Sequence, residues 1–96
     1  MKQEQTYPDV KMFIDGAWRD GSQGKSGAVL NPATGLAIGR VPHASVEDLD
    51  RALDSARRGF GVWRKTSAFD RYKLMRAAAE NLRERAGEIA RILTLE

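Results

Sequence analysis

Residues 21–27 read Gly-Ser-Gln-Gly-Lys-Ser-Gly, and Gly24-Lys25-Ser26 is the tail of a phosphate-binding loop. Such a loop follows G-x-x-x-x-G-K-[ST], because its first glycine starts a turn that wraps backbone amides around phosphate oxygens. Counting back from Gly24 puts that glycine at position 19, where Arg19 stands. A phosphate loop also leaves a buried strand and opens a helix, whereas Gly27 runs into Ala28-Val29-Leu30-Asn31-Pro32. The residues favour a flexible loop joining two strands, with Lys25 in solvent. Gly59-Phe60-Gly61 fails as a dinucleotide fingerprint on similar grounds: Arg64 occupies the third glycine position, and the pair ends a helical pattern instead of opening one.

His43 is the sole histidine, and the chain has no cysteine. A metal site would need further ligands, and catalysis a positioned partner, so His43 is read as a surface residue. Asp48, Asp50 and Asp54 lie along a helical stretch, two of them with basic neighbours, and are read as solvated charges. Arg57, Arg58, Arg64, Lys65, Arg71, Lys73 and Arg76 are interleaved with Phe60, Trp63, Phe69 and Tyr72. Nucleic-acid binding would use such aromatics to stack bases. Phe60 and Trp63, however, continue an apolar stripe. Glu47–Arg51, Asp54–Arg58 and Arg76–Glu80 stand four apart, the spacing of helical ion pairs. The basic stretch therefore reads as a solvated, ion-paired face. Side-chain types alone assign no catalytic, cofactor-binding or metal-binding residue.

These groups must be positioned by two halves of different grammar. Residues 1–44 carry six of the nine glycines and all three prolines, which favours short strands and turns. Residues 1–10 read as a polar arm and 11–44 as a strand and turn region. Asp15-Gly16 between Met12-Phe13-Ile14 and Ala17-Trp18 predicts a two-residue hairpin turn. Asn31-Pro32-Ala33-Thr34-Gly35 predicts a second turn, with a short strand through Leu36, Ile38 and Val41. Residues 45–96 read as helical. Ser45 with Asp48 predicts a capping box, and Ser67 with Asp70 repeats the signal. Val46, Leu49, Leu53, Ala56, Phe60 and Trp63 form one apolar stripe at helical spacing, expected to stop near Phe60 because Gly59 and Gly61 fray it. Met75, Ala78, Leu82, Ala86, Ile89 and Leu93 form a second, with a break expected at Gly87.

The chain has 96 residues with 16 basic and 13 acidic side chains, a formal charge of +3. That suits one small domain and is too weak a charge to announce a nucleic-acid partner. No apolar run approaches the length of a membrane span, and the first residues lack the apolar core of a signal peptide. A soluble, cytoplasmic protein is expected. The second stripe runs on to Glu96 without a stop signal, so the sequence reads as truncated, either cut short or the opening of something longer.

The order of pieces is itself informative. "MFIDGAWRDG", "LNPATGLAIGRVPHAS", "VEDLDRALDSARRGF" and "WRKTSAFDRYKLMRAAAENLRERAGEIARILTLE" together resemble the start of the NAD(P)-dependent aldehyde dehydrogenase superfamily. The resemblance covers residues 11–96 and rests on the Asn31–Gly35 turn, the Val41-Pro42 strand end, the alanine-rich first helix and Trp63-Arg64. It implies an α/β parent with a Rossmann-like cofactor domain, of which this segment is an early part, its strands and helices packing on the rest. It implies NAD or NADP as cofactor, a small-molecule aldehyde as substrate, with succinate semialdehyde suggested by the "NPATG…VP" wording, and a homodimer or homotetramer. The family's cysteine nucleophile, general-base glutamate and cofactor contacts match no position here, so the segment is expected to be scaffold and inactive alone. Some members hold a monovalent cation on backbone carbonyls just before the Asn-Pro turn, which here would involve Val29 or Leu30. The alternative reading is a free-standing helical interaction module. A basic RNA- or DNA-binding domain is a third, and predicts affinity that falls steeply with salt.

Overall fold

In the computed structural model, which describes residues 7–96, two β-hairpins precede three helices. The polar arm expected over residues 1–10 lies, for residues 1–6, outside the described residues. The first hairpin pairs β1 (Met12–Ile14) with β2 (Ala17–Arg19), antiparallel, with Phe13 opposite Trp18. Its turn residues both take positive φ, 53° at Asp15 and 75° at Gly16, the backbone of the turn that matches strand twist. Phe13 and Trp18 share one face with ring centroids 4.8 Å apart. Ile14, on the other face, is 8% exposed, and β1 lies against the first helix.

The second hairpin pairs β3 (Ser26–Leu30) with β4 (Ala37–Pro42), with an irregularity in register between Val29 and Leu30. The Asn31–Gly35 turn forms where the sequence places it. The Asn31 side chain accepts from the Ala33 amide at 2.9 Å, the Asn31 carbonyl accepts from the Gly35 amide at 2.7 Å, and Gly35 has φ 72°. Gly39 in β4 allows the Tyr7 ring to lie on the strand, since a Cβ there would sit 2.6 Å from a ring carbon.

The helices are α1 (Val46–Trp63), α2 (Ala68–Glu84) and α3 (Ala86–Leu95). Ser45 and Asp48 form the reciprocal capping box of α1. The Ser67 hydroxyl accepts from the Asp70 amide at α2. Two expected boundaries shift. α1 runs through Gly59 and Gly61 to Trp63, because those glycines keep the helical hydrogen bonds, and the Arg64 amide still reaches the Phe60 carbonyl at 2.9 Å. Beyond the C-cap Arg64, the Lys65 amide donates to the Val62 carbonyl, and Thr66 donates its hydroxyl to the Val62 carbonyl and its amide to the Trp63 carbonyl. The break expected at Gly87 falls at Arg85 (φ −104°, ψ 12°). Gly87 is the second residue of α3, where a glycine disturbs few helical bonds. The Arg85 guanidinium spans the break with two hydrogen bonds to Glu88, at 3.2 and 3.3 Å.

The radius of gyration is 17.2 Å and the extents are 51 × 35 × 17 Å, against about 13 Å for a compact domain of this size. Among the described residues Ile14 and Leu95 are the buried apolar side chains. Leu53, Phe60, Met75, Leu82 and Leu93 of the two helical stripes are all exposed. Among the described residues no helix is long and apolar enough to cross a membrane.

Candidate functional site

The loop between β2 and β3 contains the Gly-Lys-Ser sequence, and its amides are used inside the chain. The Ser22 amide donates to Asp48 Oδ2 at 3.0 Å, and the Gly24 amide donates to the Gly21 carbonyl at 2.9 Å. Gly21 is buried, and a Cβ on it would lie 2.4 Å from the His43 carbonyl oxygen. Gly24 has φ 69°, which turns the chain back toward β3. The loop expected to be flexible is therefore tied down along its first half. Lys25 and His43 are exposed, and the His43 amide closes the hairpin by donating to the Lys25 carbonyl at 2.8 Å.

Asp48 departs most from the sequence reading. It is 1% exposed, not solvated. The capping box orients it: its Oδ2 accepts from the Ser45 amide at 2.9 Å, and its own amide donates to Ser45 Oγ at 3.1 Å. The Ser45 and Ser22 amides hold its carboxyl at about 2, down from an ordinary 3.8, outweighing the upward push of burial. A carboxylate that accepts several amide donors behaves this way. Sequence identified the contact to Ser45. The contact to Ser22 spans 26 residues and has no local signal.

Beside the loop is an open groove of about 470 Å³, lined by Lys11, Asp20, Lys25, Ser26 and Arg40 among others. Lys11 pairs with Asp20 at 2.8 Å, and Arg40 Nε donates to Ser26 Oγ at 2.8 Å. Among the described residues no three histidine, cysteine or acidic side chains gather as metal ligands. Val29 and Leu30 stand at the register irregularity of the second hairpin, next to the Asn31 turn.

The charged side chains of the helices pair as their spacing predicts. Arg51 reaches Glu47 at 3.6 Å, Arg58 reaches Asp54 at 3.1 Å, and Arg76 reaches Glu80 at 4.0 Å. Arg58 also reaches Asp15 in the first hairpin turn at 3.3 Å, which holds the Asp15 carboxyl below its usual range. Lys73 lies over the Phe69 ring at 4.8 Å. Gly59 and Gly61 sit inside α1, far from the strand-to-helix turn of a dinucleotide site.

The aldehyde dehydrogenase family description matches residues 18–96. The chain is 37% identical over 91 residues to the mitochondrial methylmalonate-semialdehyde/malonate-semialdehyde dehydrogenase (acylating) of Mus musculus, covering 95% of this chain and 17% of that protein. The crystal structure of an aldehyde dehydrogenase from Bartonella henselae superposes with a TM-score of 0.86 at 26% identity, over 91% of this chain and 18% of that one. Betaine aldehyde dehydrogenase from Staphylococcus aureus, solved in complex with NAD+, superposes with a TM-score of 0.83 at 31% identity, over 92% and 18%. The hairpins and helices thus have the fold of the corresponding part of aldehyde dehydrogenases, and the chain spans less than a fifth of these relatives' lengths. With four-fifths of its residues inside the family match and its backbone superposing on two solved members, the chain belongs to the aldehyde dehydrogenase family.

Proposed function

We propose that these residues are the scaffold-forming part of an enzyme that oxidises an aldehyde to the carboxylic acid with NAD(P)+. The family match over residues 18–96 carries this reading. Overall, aldehyde, water and NAD(P)+ give the acid, NAD(P)H and a proton. In the chemistry the family implies, a thiol adds to the aldehyde carbon, the adduct gives up a hydride, and water cleaves the resulting thioester. The covalent step splits one hard reaction into two easier ones. None of the 96 residues is a cysteine, so the thiol belongs to other residues of the parent. The nicotinamide cofactor, when bound, accepts the hydride. Internal use of the Ser22 and Gly24 amides supports placing the dinucleotide contacts elsewhere as well.

The exposed stripes of α1, α2 and α3 support a scaffold role. Each large apolar side chain left in water forgoes about 1.5–3 kcal/mol of burial. On this reading the remainder of the parent polypeptide covers them. The test compares aldehyde-dependent NAD(P)H formation by the complete polypeptide and by the 96-residue chain. The complete protein is expected to be active and the chain inert. NADH formation by the chain itself would overturn the reading.

Succinate semialdehyde is the first substrate to try, with malonate semialdehyde and betaine aldehyde as competitors suggested by the relatives. Ranking kcat/KM across the three decides among them. A homodimer or homotetramer is part of the proposal, and light scattering on the complete protein checks it. So is a cytoplasmic location, set against a relative described as mitochondrial; cell fractionation separates the two. A monovalent cation on the Val29 or Leu30 carbonyl is tested by a thallium or rubidium soak.

The exposed helical stripes also favour a second reading, a free-standing interaction module. A monomeric chain that unfolds in one cooperative transition would support it. A molten or self-associating chain would support the scaffold.

A further inference from the structure

We propose that the Asp48 carboxylate is an internal anion that latches the Gly21–Lys25 loop to the first turn of α1, so that loop and helix end become ordered together. Two amides separated by 23 residues, Ser22 and Ser45, converge on the single oxygen Oδ2 at 3.0 and 2.9 Å. The hydroxyls of the same two serines meet at 2.5 Å. Steric fit adds a second constraint: Gly21 approaches the His43 carbonyl so closely that no side chain fits. The His43 amide ties the far end of the loop through the Lys25 carbonyl. A helix N-terminus favours negative charge and leaves amides in need of acceptors. Here the chain supplies that charge itself, and shares it with a loop whose sequence resembles an anion binder.

Two consequences distinguish a latch from an ordinary helix cap. Removing the Asp48 charge must release the loop as well as the first turn, because both amides lose the same acceptor. Removing the Ser45 hydroxyl must loosen the first turn and cost the loop its hydroxyl contact, but it leaves the Ser22 amide bonded, because Oδ2 still accepts from it.

Hydrogen–deuterium exchange, resolved to single amides on the complete polypeptide, tests this. In the unmodified protein the Ser22 amide is expected to be protected like a helical amide. Asp48→Asn is expected to speed exchange at Ser22 and Ser45 together by roughly tenfold, as a charged acceptor is replaced by a weaker neutral one. Ser22→Ala keeps the amide and is expected to leave its protection within about threefold, and Ser45→Ala is expected to do the same at position 22. A Ser22 amide exchanging at an open-loop rate in the unmodified protein overturns the latch. So does Asp48→Asn that accelerates Ser45 and leaves Ser22 unchanged. The first of these measurements decides even where Asp48→Asn does not fold.

Discussion

The junction around Asp48 and the outer faces of α2 and α3 are held by different physics. At the junction a buried carboxylate accepts from two amides, and a glycine packs directly on backbone. The serine hydroxyls on either side, Ser22 and Ser45, also meet each other. Along α2 and α3 the charged side chains form surface ion pairs such as Arg83–Glu80 at 2.7 Å and Arg85–Glu88 at 3.2 Å, while Leu82 and Leu93 face outward. Exposed ion pairs contribute little, because water screens them and long side chains lose entropy in forming them. The junction's buried carboxylate finds its amide donors within the chain. The α2–α3 face leaves apolar surface exposed among the described residues, which is why the scaffold reading asks the rest of the parent to cover it.

The largest test of this contrast is Leu82→Ala. In the complete polypeptide it is expected to cost about 3 kcal/mol, the usual range for a buried leucine. In the 96-residue chain it is expected to cost less than about 0.5 kcal/mol, as for other exposed positions. Urea unfolding of both measures the difference, and equal small effects would favour the free-standing module. Ile14→Ala, on the buried face of β1, is expected to cost about 2 kcal/mol in either form. A loss confined to the complete polypeptide would show that the chain does not hold this contact alone.

Acid weakens the junction over a defined window. Asp48 is held low in the folded state, so its contribution is complete above the ordinary value of 3.8 and is lost as pH falls toward about 2. The causes are donors on Ser45 and Ser22, opposed by burial, with no charged side chain among them. The effect should therefore survive high salt. Asp48→Asn is expected to flatten stability over that window, read by urea midpoints at several pH values. Ser45→Ala is expected to cost about 1 kcal/mol, the usual value for an N-cap serine. Smallest of all, Arg83→Ala is expected to cost between about 0.2 and 1 kcal/mol and to vanish in high salt. A larger, salt-insensitive loss would mean that this ion pair is more than a surface contact.

Much of the fold was legible because its signals are local. Asp15-Gly16 and Asn31–Gly35 form turns because those residues tolerate or prefer the required φ. Ser45 and Ser67 start helices because their hydroxyls accept from the amides of Asp48 and Asp70, three residues on. The shifted boundaries were less legible, since glycine in a helix weakens it without removing a hydrogen bond. Arg64 and Arg85, which cap the ends, carry no strong signal of their own.

Sequence by itself determined the two halves, the helix starts, the ion-pair spacing, the failure of the phosphate-loop pattern at Arg19, and the family resemblance. Each depends on residues close in the chain or on their order. Tertiary structure alone decided that Asp48 is buried, that Ser22 donates to it, and that Gly21 is pressed against His43. Those contacts join segments 22 to 26 residues apart, and their energies depend on removal of water from the junction, which no local pattern records.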